Sequence, residues 1–153
     1  MNLRTMARVF GVVFLLVGVL GFVPGINQMI HGDDPHLMVE GPGHGMLLGL
    51  FHVNVLHNLV HILFGVWGLV AGGSLGASRG YFRGVGIAYA LLAVMGAIPV
   101  IPLQYTFGLV PIHGWDVGLH AVLALAGLYL GFAAKATDVT DATTTPTAAP
   151  PAV

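Results

Sequence analysis

HILFGVWGLVAG at residues 61–72 and HAVLALAGLYLG at residues 120–131 share one form: His, six residues, Gly-Leu, two residues, Gly. The stretches ahead of them also correspond, FGVVFLLVGVLGFVPG at 10–25 with VGIAYALLAVMGAIPV at 85–100. With an offset of 75, Arg8, Gly11, Leu16, Val19, Gly21 and Pro24 fall on Arg83, Gly86, Leu91, Val94, Gly96 and Pro99. These segments lie in four apolar stretches, 9–23, 46–71, 81–101 and 115–134. Each approaches or exceeds the ~20 residues that cross a bilayer, the first only when its flanks are counted. A backbone in lipid must satisfy its own polar groups, so helices are expected. The fold class that follows is all-α: a four-transmembrane-helix bundle of two parallel helical-hairpin repeats, with helices at about 9–25, 48–71, 81–101 and 115–134. Residues 1–135 then form one transmembrane domain.

Composition points the same way. Of 153 residues, 56% are hydrophobic and 7% charged, with a mean hydropathy of +0.89. Soluble chains carry about 25% charged residues, so this one cannot coat a water-facing surface. Arg4 and Arg8 ahead of a short apolar run resemble a signal peptide, but no small-x-small cleavage site follows. A segment with a counterpart in the third stretch is expected to be retained. Four spans put all five basic residues, Arg4, Arg8, Arg79, Arg83 and Lys135, on one side. The positive-inside rule makes that side, and both termini, cytoplasmic. Asp33, Asp34, Glu40 and Asp116 fall on the other side. Helices one and three run outward and two and four inward, so the repeats are related by an axis near the membrane normal.

The first outer loop, about 25–45, holds His31, His36 and His44 among Gly, Pro and acidic residues. It reads either as a solvent-exposed metal-collecting segment or as a flexible polar loop, and the spacing matches no defined site. Residues 102–114, with Pro102, Tyr105 and Pro111 and the adjoining Trp115, suit an interfacial aromatic belt. The tail 136–153 is Thr, Ala and Pro with two Asp, which cannot build a core; it is expected to be disordered in the cytoplasm.

Chemistry is expected on helices two and four. Asn54, His57, Asn58 and His61 share one face by their spacing, and that face continues as Gly65, Gly68 and Gly72. Helix four repeats it as Asp116, His120, Ala124, Gly127 and Gly131, an offset of 59 placing Asp116 on His57. His52 lies on nearly the opposite side and belongs near the interface. Small residues let helix backbones approach closely in lipid. These stripes, with Gly11, Gly18, Gly21, Gly86 and Gly96 on helices one and three, are therefore expected to face inward. His57, His61, Asp116 and His120 then point into the bundle, where ionisable groups are costly and mark function by default.

Three readings of the cluster stand. His57, His61, Asp116 and His120 form a metal site for zinc, iron or manganese, with Asn54 and Asn58 as supporting partners. Alternatively, His61 and His120 are axial ligands of a b-type haem or another redox cofactor, with the neighbouring glycines making room. In the third, the groups hydrogen-bond to one another and hold the helices in register, at about 0.6–2 kcal/mol per bond. Proton or small-solute conduction is the weakest function, because Pro24 and Pro99 fall at helix ends and not at the midplane.

Other chemistries fall away, and a non-enzymatic role is expected. The chain has no cysteine, hence no thiolate site, disulfide or Cys nucleophile. It has no phosphate-binding Gly-rich loop and no basic surface for nucleic acid. Asn58 stands where the metalloprotease motif has Glu, and Ser74 and Ser78 are far from any His. The lipid bilayer is the one partner implied; a second copy or another membrane protein is left open.

The run FHVNVLHNLVHILFGVWGLVAG at 51–72, the arginine-flanked third helix and WDVGLHAVLALAGLYLG at 115–131 resemble the bacterial domain-of-unknown-function 4383 family. The likeness covers about residues 4–131. Its most distinctive part is Asn54-x-x-His57-Asn58-Leu59-Val60-His61, and its helix-four pattern is similar to Asp116-x-x-x-His120. The family more often has a polar residue where this chain has Val117, and the His-bearing loop and Thr/Pro tail are this chain's own. The resemblance implies a small four-helix protein of the bacterial plasma membrane. It implies no reaction.

Overall fold

The computed structural model describes residues 2–135; the tail expected to be disordered, 136–153, lies outside them. Most of the described chain is helical: α1 (Leu3–Leu20), α2 (Val55–Ala71), α3 (Leu75–Ala97), a short α4 (Ile101–Gln104) and α5 (Trp115–Leu128), which runs on into a π-helical turn, Tyr129–Ala133. Leu3–Leu20, Leu75–Ala97 and Trp115–Ala133 are long and apolar enough to cross a membrane, while Val55–Ala71 is apolar but 17 residues long.

Local chemistry sets the helix ends, and it moves several of them from their expected places. Asn2 caps α1 by accepting from the Thr5 N–H, so that helix starts at residue 3 and takes in Arg4 and Arg8. Ser74 caps α3 in the same way at Ala77, and Ile98, extended ahead of Pro99, ends it. Helix α2 begins at 55 and not near 48 because Asn54 is extended and its side chain accepts from the His57 N–H. The apolar run before it is spent on strands. β1 (Asn27–Met29), β2 (Gly45–Leu47) and β3 (Phe51–Val53) form one antiparallel sheet in that order, with Asn27 opposite Leu47 and Met46 opposite His52. The loop at 25–45, expected to lie outside, is thus built around a sheet, and His52 is a strand residue. A short apolar run does not by itself say helix or strand.

Helix α1 packs along α2, and α3 along α5. Glycine decides both crossings. A Cβ on Gly11 would lie 2.8 Å from the Gly65 carbonyl oxygen and 3.0 Å from the Gly68 carbonyl carbon. A Cβ on Gly86 would lie 2.5 Å from the Leu128 nitrogen and 2.8 Å from the Gly127 carbonyl carbon. These are backbone atoms, so neither helix can yield without the pair separating. Gly18, Gly21, Gly65, Gly72, Gly96, Ala124 and Gly131 are buried as well. Outward, the pattern inverts: Leu63, Val70 and Leu125 are about two-thirds exposed or more (67%, 72% and 69%). Large apolar side chains outside and glycine inside fit a lipid solvent, not water. Phe14, Tyr81, Phe82, Val85 and Tyr89 fill the space between the helix pairs.

The basic residues gather at one end. Arg4 Nε donates to the Gly72 carbonyl (3.4 Å), Arg83 Nε to Gly131 (3.0 Å) and Arg79 Nη2 to Ala134 (3.3 Å), each satisfying a carbonyl at the end of α2 or of the helix-four segment. The opposite end is tied down by asparagines. Asn27 Nδ2 donates to the Gly21 and Gly43 carbonyls (2.6 and 2.8 Å). Asn54 Nδ2 donates to Val39 and Leu109 (2.6 and 2.7 Å), joining the α1–α2 and α3–α5 connections to the start of α2. Asn54→Ala removes a helix cap and leaves two carbonyls without their donor. We expect it to cost about 3 kcal/mol, read as an earlier unfolding midpoint in detergent.

Candidate metal centre

Helices α2 and α5 start at the same end of the molecule, so their first turns bring His57 and Asp116 together, with His120 one turn further along α5. All three are buried. His57 Nε2 and His120 Nδ1 each lie 3.9 Å from Asp116 Oδ2. One ligand atom from each residue falls within 4.8 Å of the others. Hydrogen bonds to a carboxylate need about 2.7–3.2 Å, so these pairs are not hydrogen-bonded. Asp116 Oδ2, His120 Nδ1 and His57 Nδ1 are all buried without a partner among the described residues.

His61 is brought alongside but plays a different part. Its ring stacks on His57 (centroids 4.8 Å apart, 16° between planes) and packs on Phe14 at 5.7 Å. Its Nδ1 is 3.1 Å from the His57 carbonyl oxygen, which can only accept, so Nδ1 carries the proton and Nε2 is the free nitrogen. Of the four residues expected as ligands, three converge and His61 flanks them. Asn54 and Asn58 act on the backbone and not on imidazole: Asn54 caps α2, and Asn58 Nδ2 reaches the Gly43 carbonyl at 3.4 Å. Asn58 has room because Gly21 faces it, where a Cβ would overlap its carboxamide at 2.0 Å.

Two of the three spacings approach those around a small ion. Donors about 2.0–2.2 Å from a tetrahedral metal stand roughly 3.3–3.6 Å apart, a few tenths of an ångström inside the observed 3.9 Å. Haem does not fit. A cavity of about 190 Å³ lies against these residues, lined by His57, His61, Tyr89, Thr106, Ile112 and His120 among others, smaller than the roughly 300–1,000 Å³ of small-molecule pockets. The glycines expected to make room for a macrocycle are taken up by the crossings with α1 and α3. Two neighbours carried no sequence pattern that could have revealed them: Tyr89, edge-on to His120 at 4.8 Å, and Thr106, whose buried hydroxyl has no partner among the described residues.

The loop histidines separate. His31 and His36 are exposed, whereas His44 is buried against His52. Burial first, then the neighbouring His113 and His44, push the His52 imidazole down to about 4, with Asp34 opposing. Burial also lowers His113 and raises the Tyr105 phenol beside it.

No curated protein and no solved structure matches the chain. A family profile does, that of the "Domain of unknown function (DUF4383)", over residues 4–133. This span takes in the apolar helices, the His57–Asp116–His120 cluster and the three-stranded sheet, so the chain belongs to the DUF4383 family.

Proposed function

We propose that this is a multipass protein of the bacterial plasma membrane that binds a divalent transition-metal ion at His57, Asp116 and His120, with the free Nε2 of His61 nearby. Four spans, two parallel hairpin repeats and cytoplasmic termini complete the reading. The repeat is supported by the crossings, since Gly11 and Gly86 differ by 75 and Gly68 and Gly127 by 59, the offsets of the two sequence correspondences. The orientation is supported by the basic residues at one end, following the positive-inside rule.

One observation carries the metal: two ligand atoms of the cluster, Asp116 Oδ2 and His120 Nδ1, are buried together with no hydrogen-bond partner among the described residues. An unpaired carboxylate at such a place costs several kcal/mol. A divalent cation offsets that cost and uses the imidazole lone pairs as well. The packing alternative needs hydrogen bonds among these groups, and 3.9 Å is too long for them. Two imidazoles and a carboxylate suit zinc, iron or manganese and disfavour magnesium or calcium, which prefer oxygen. The test is elemental analysis of the detergent-purified protein and of His57→Ala/His120→Ala. The variant should carry one metal equivalent fewer per chain. Equal metal content in the two proteins would sink the reading.

A further inference from the structure

Above the helices, the outer sheet gathers a second donor set from three separate segments. His44, immediately before β2, and His52, at the centre of β3, face each other with Nε2 atoms 3.0 Å apart. Asp34, from the excursion between β1 and β2, brings Oδ2 to 4.0 Å from His52 Nε2. One ligand atom from each falls within 4.8 Å of the others. The sequence spacing of 10 and 8 residues shows none of this; the convergence comes from the β2–β3 register.

Each donor is already oriented. Asp34 Oδ1 accepts from the His36 N–H at 2.9 Å, its own backbone N–H donates to Glu40, and Oδ2 lies toward His52 with the Tyr105 phenol beside the carboxylate. The His44 backbone is held on both sides, its carbonyl accepting from Ile30 (3.1 Å) and its N–H donating to Gly41 (3.2 Å). His52 Nδ1 lies 3.3 Å from His113 Nε2. A proton on Nδ1 shared with His113 leaves the His52 Nε2 lone pair directed at His44 and Asp34. This is how metal-bound imidazoles are usually fixed, by a second group on the far nitrogen. The rings of Tyr105 and His113 (centroids 5.1 Å apart) close over that side.

We propose that Asp34, His44 and His52 form a second site for a zinc-class divalent ion, with His113 as its positioning residue. Two nitrogens and one carboxylate oxygen are a borderline donor set that favours zinc over calcium or magnesium. The 3.0 Å between the two imidazole nitrogens is close to the roughly 3.3 Å edge of a tetrahedral zinc site. The site lies in the polar layer, on segments that contribute no ligand to the helix cluster, so it stands or falls apart from that cluster.

Calorimetric titration of the EDTA-treated full-length protein in detergent with Zn²⁺ tests this. His44→Ala/His52→Ala should bind one equivalent fewer than wild type, and His57→Ala/His120→Ala should retain that equivalent. His113→Gln should weaken the outer site about 10–100-fold, the cost of losing a supporting partner. Asp34→Asn should weaken it at least as much, and His31→Ala, in the same loop, should leave it unchanged. Equal stoichiometry in wild type and His44→Ala/His52→Ala would overturn the proposal. So would equal weakening by Asp34→Asn and His31→Ala, the mark of diffuse binding by a His-bearing loop. Should the double variant fail to fold, Asp34→Asn decides, and an unchanged zinc affinity there is equally fatal. If only the helix cluster is wrong, wild type binds a single zinc that His44→Ala/His52→Ala loses.

Discussion

Adding zinc to the metal-stripped protein is expected to raise its unfolding free energy by about 4 kcal/mol once the free ion stands about a thousandfold above its dissociation constant. Asp116→Leu should abolish that increment. The comparison belongs in a His44→Ala/His52→Ala background, so that only the helix cluster responds, and is read as thermal unfolding by near-ultraviolet circular dichroism. The metal-free state adds a test of sign. If Asp116 waits for an ion, its carboxylate is an uncompensated burden in the stripped protein, and Asp116→Leu should be at least as stable there. If Asp116 holds helices together by bonding to His57 and His120, the same change should destabilise with or without zinc. An intact zinc response in Asp116→Leu would place the ion elsewhere.

Gly127→Leu should fail to give a folded, monodisperse protein, while Gly118→Leu in the same helix should purify like wild type. Beyond Gly118 there is open space, whereas a Cβ on Gly127 would lie 2.6 and 2.7 Å from the Gly86 nitrogen and Cα and 3.0 Å from the Phe82 carbonyl oxygen. Backbone in a helix cannot swing aside as a side chain can. The substitution must push α3 and α5 apart, losing the close packing that holds helices together in lipid. Overpacking a core by a methylene or two costs about 1–3 kcal/mol, and a whole isobutyl group against backbone costs well beyond that. Size-exclusion chromatography of the two variants decides it. A well-folded Gly127→Leu would mean that this crossing is not where the pair is joined.

Both predictions rest on residues that the sequence singled out. Gly127 and Gly86 were legible as an inward stripe because glycine at three- and four-residue intervals in an apolar helix has few other uses. His57, Asp116 and His120 were legible because ionisable groups on that stripe have nowhere to go but inward. Periodicity is a local property, and the chain carries it openly. The boundaries were less legible: residues 46–53 are apolar enough to extend α2, and only Asn54, extended and capping His57, shows that the helix begins after them.

By itself, then, the sequence determined the solvent of this protein, its helical pairing surfaces and the face that bears its polar groups. Composition and helical period do not depend on distant partners. Tertiary structure alone decided which polar groups meet. His61 shares a face with His57, yet its bond to the His57 carbonyl turns it into a neighbour of the cluster. Asp34, His44 and His52 have no common period, and they converge because strand pairing sets Met46 opposite His52 and so brings His44 against its ring. A metal site needs donors within a few ångströms in three dimensions. That distance is fixed by register between segments, which no single segment encodes.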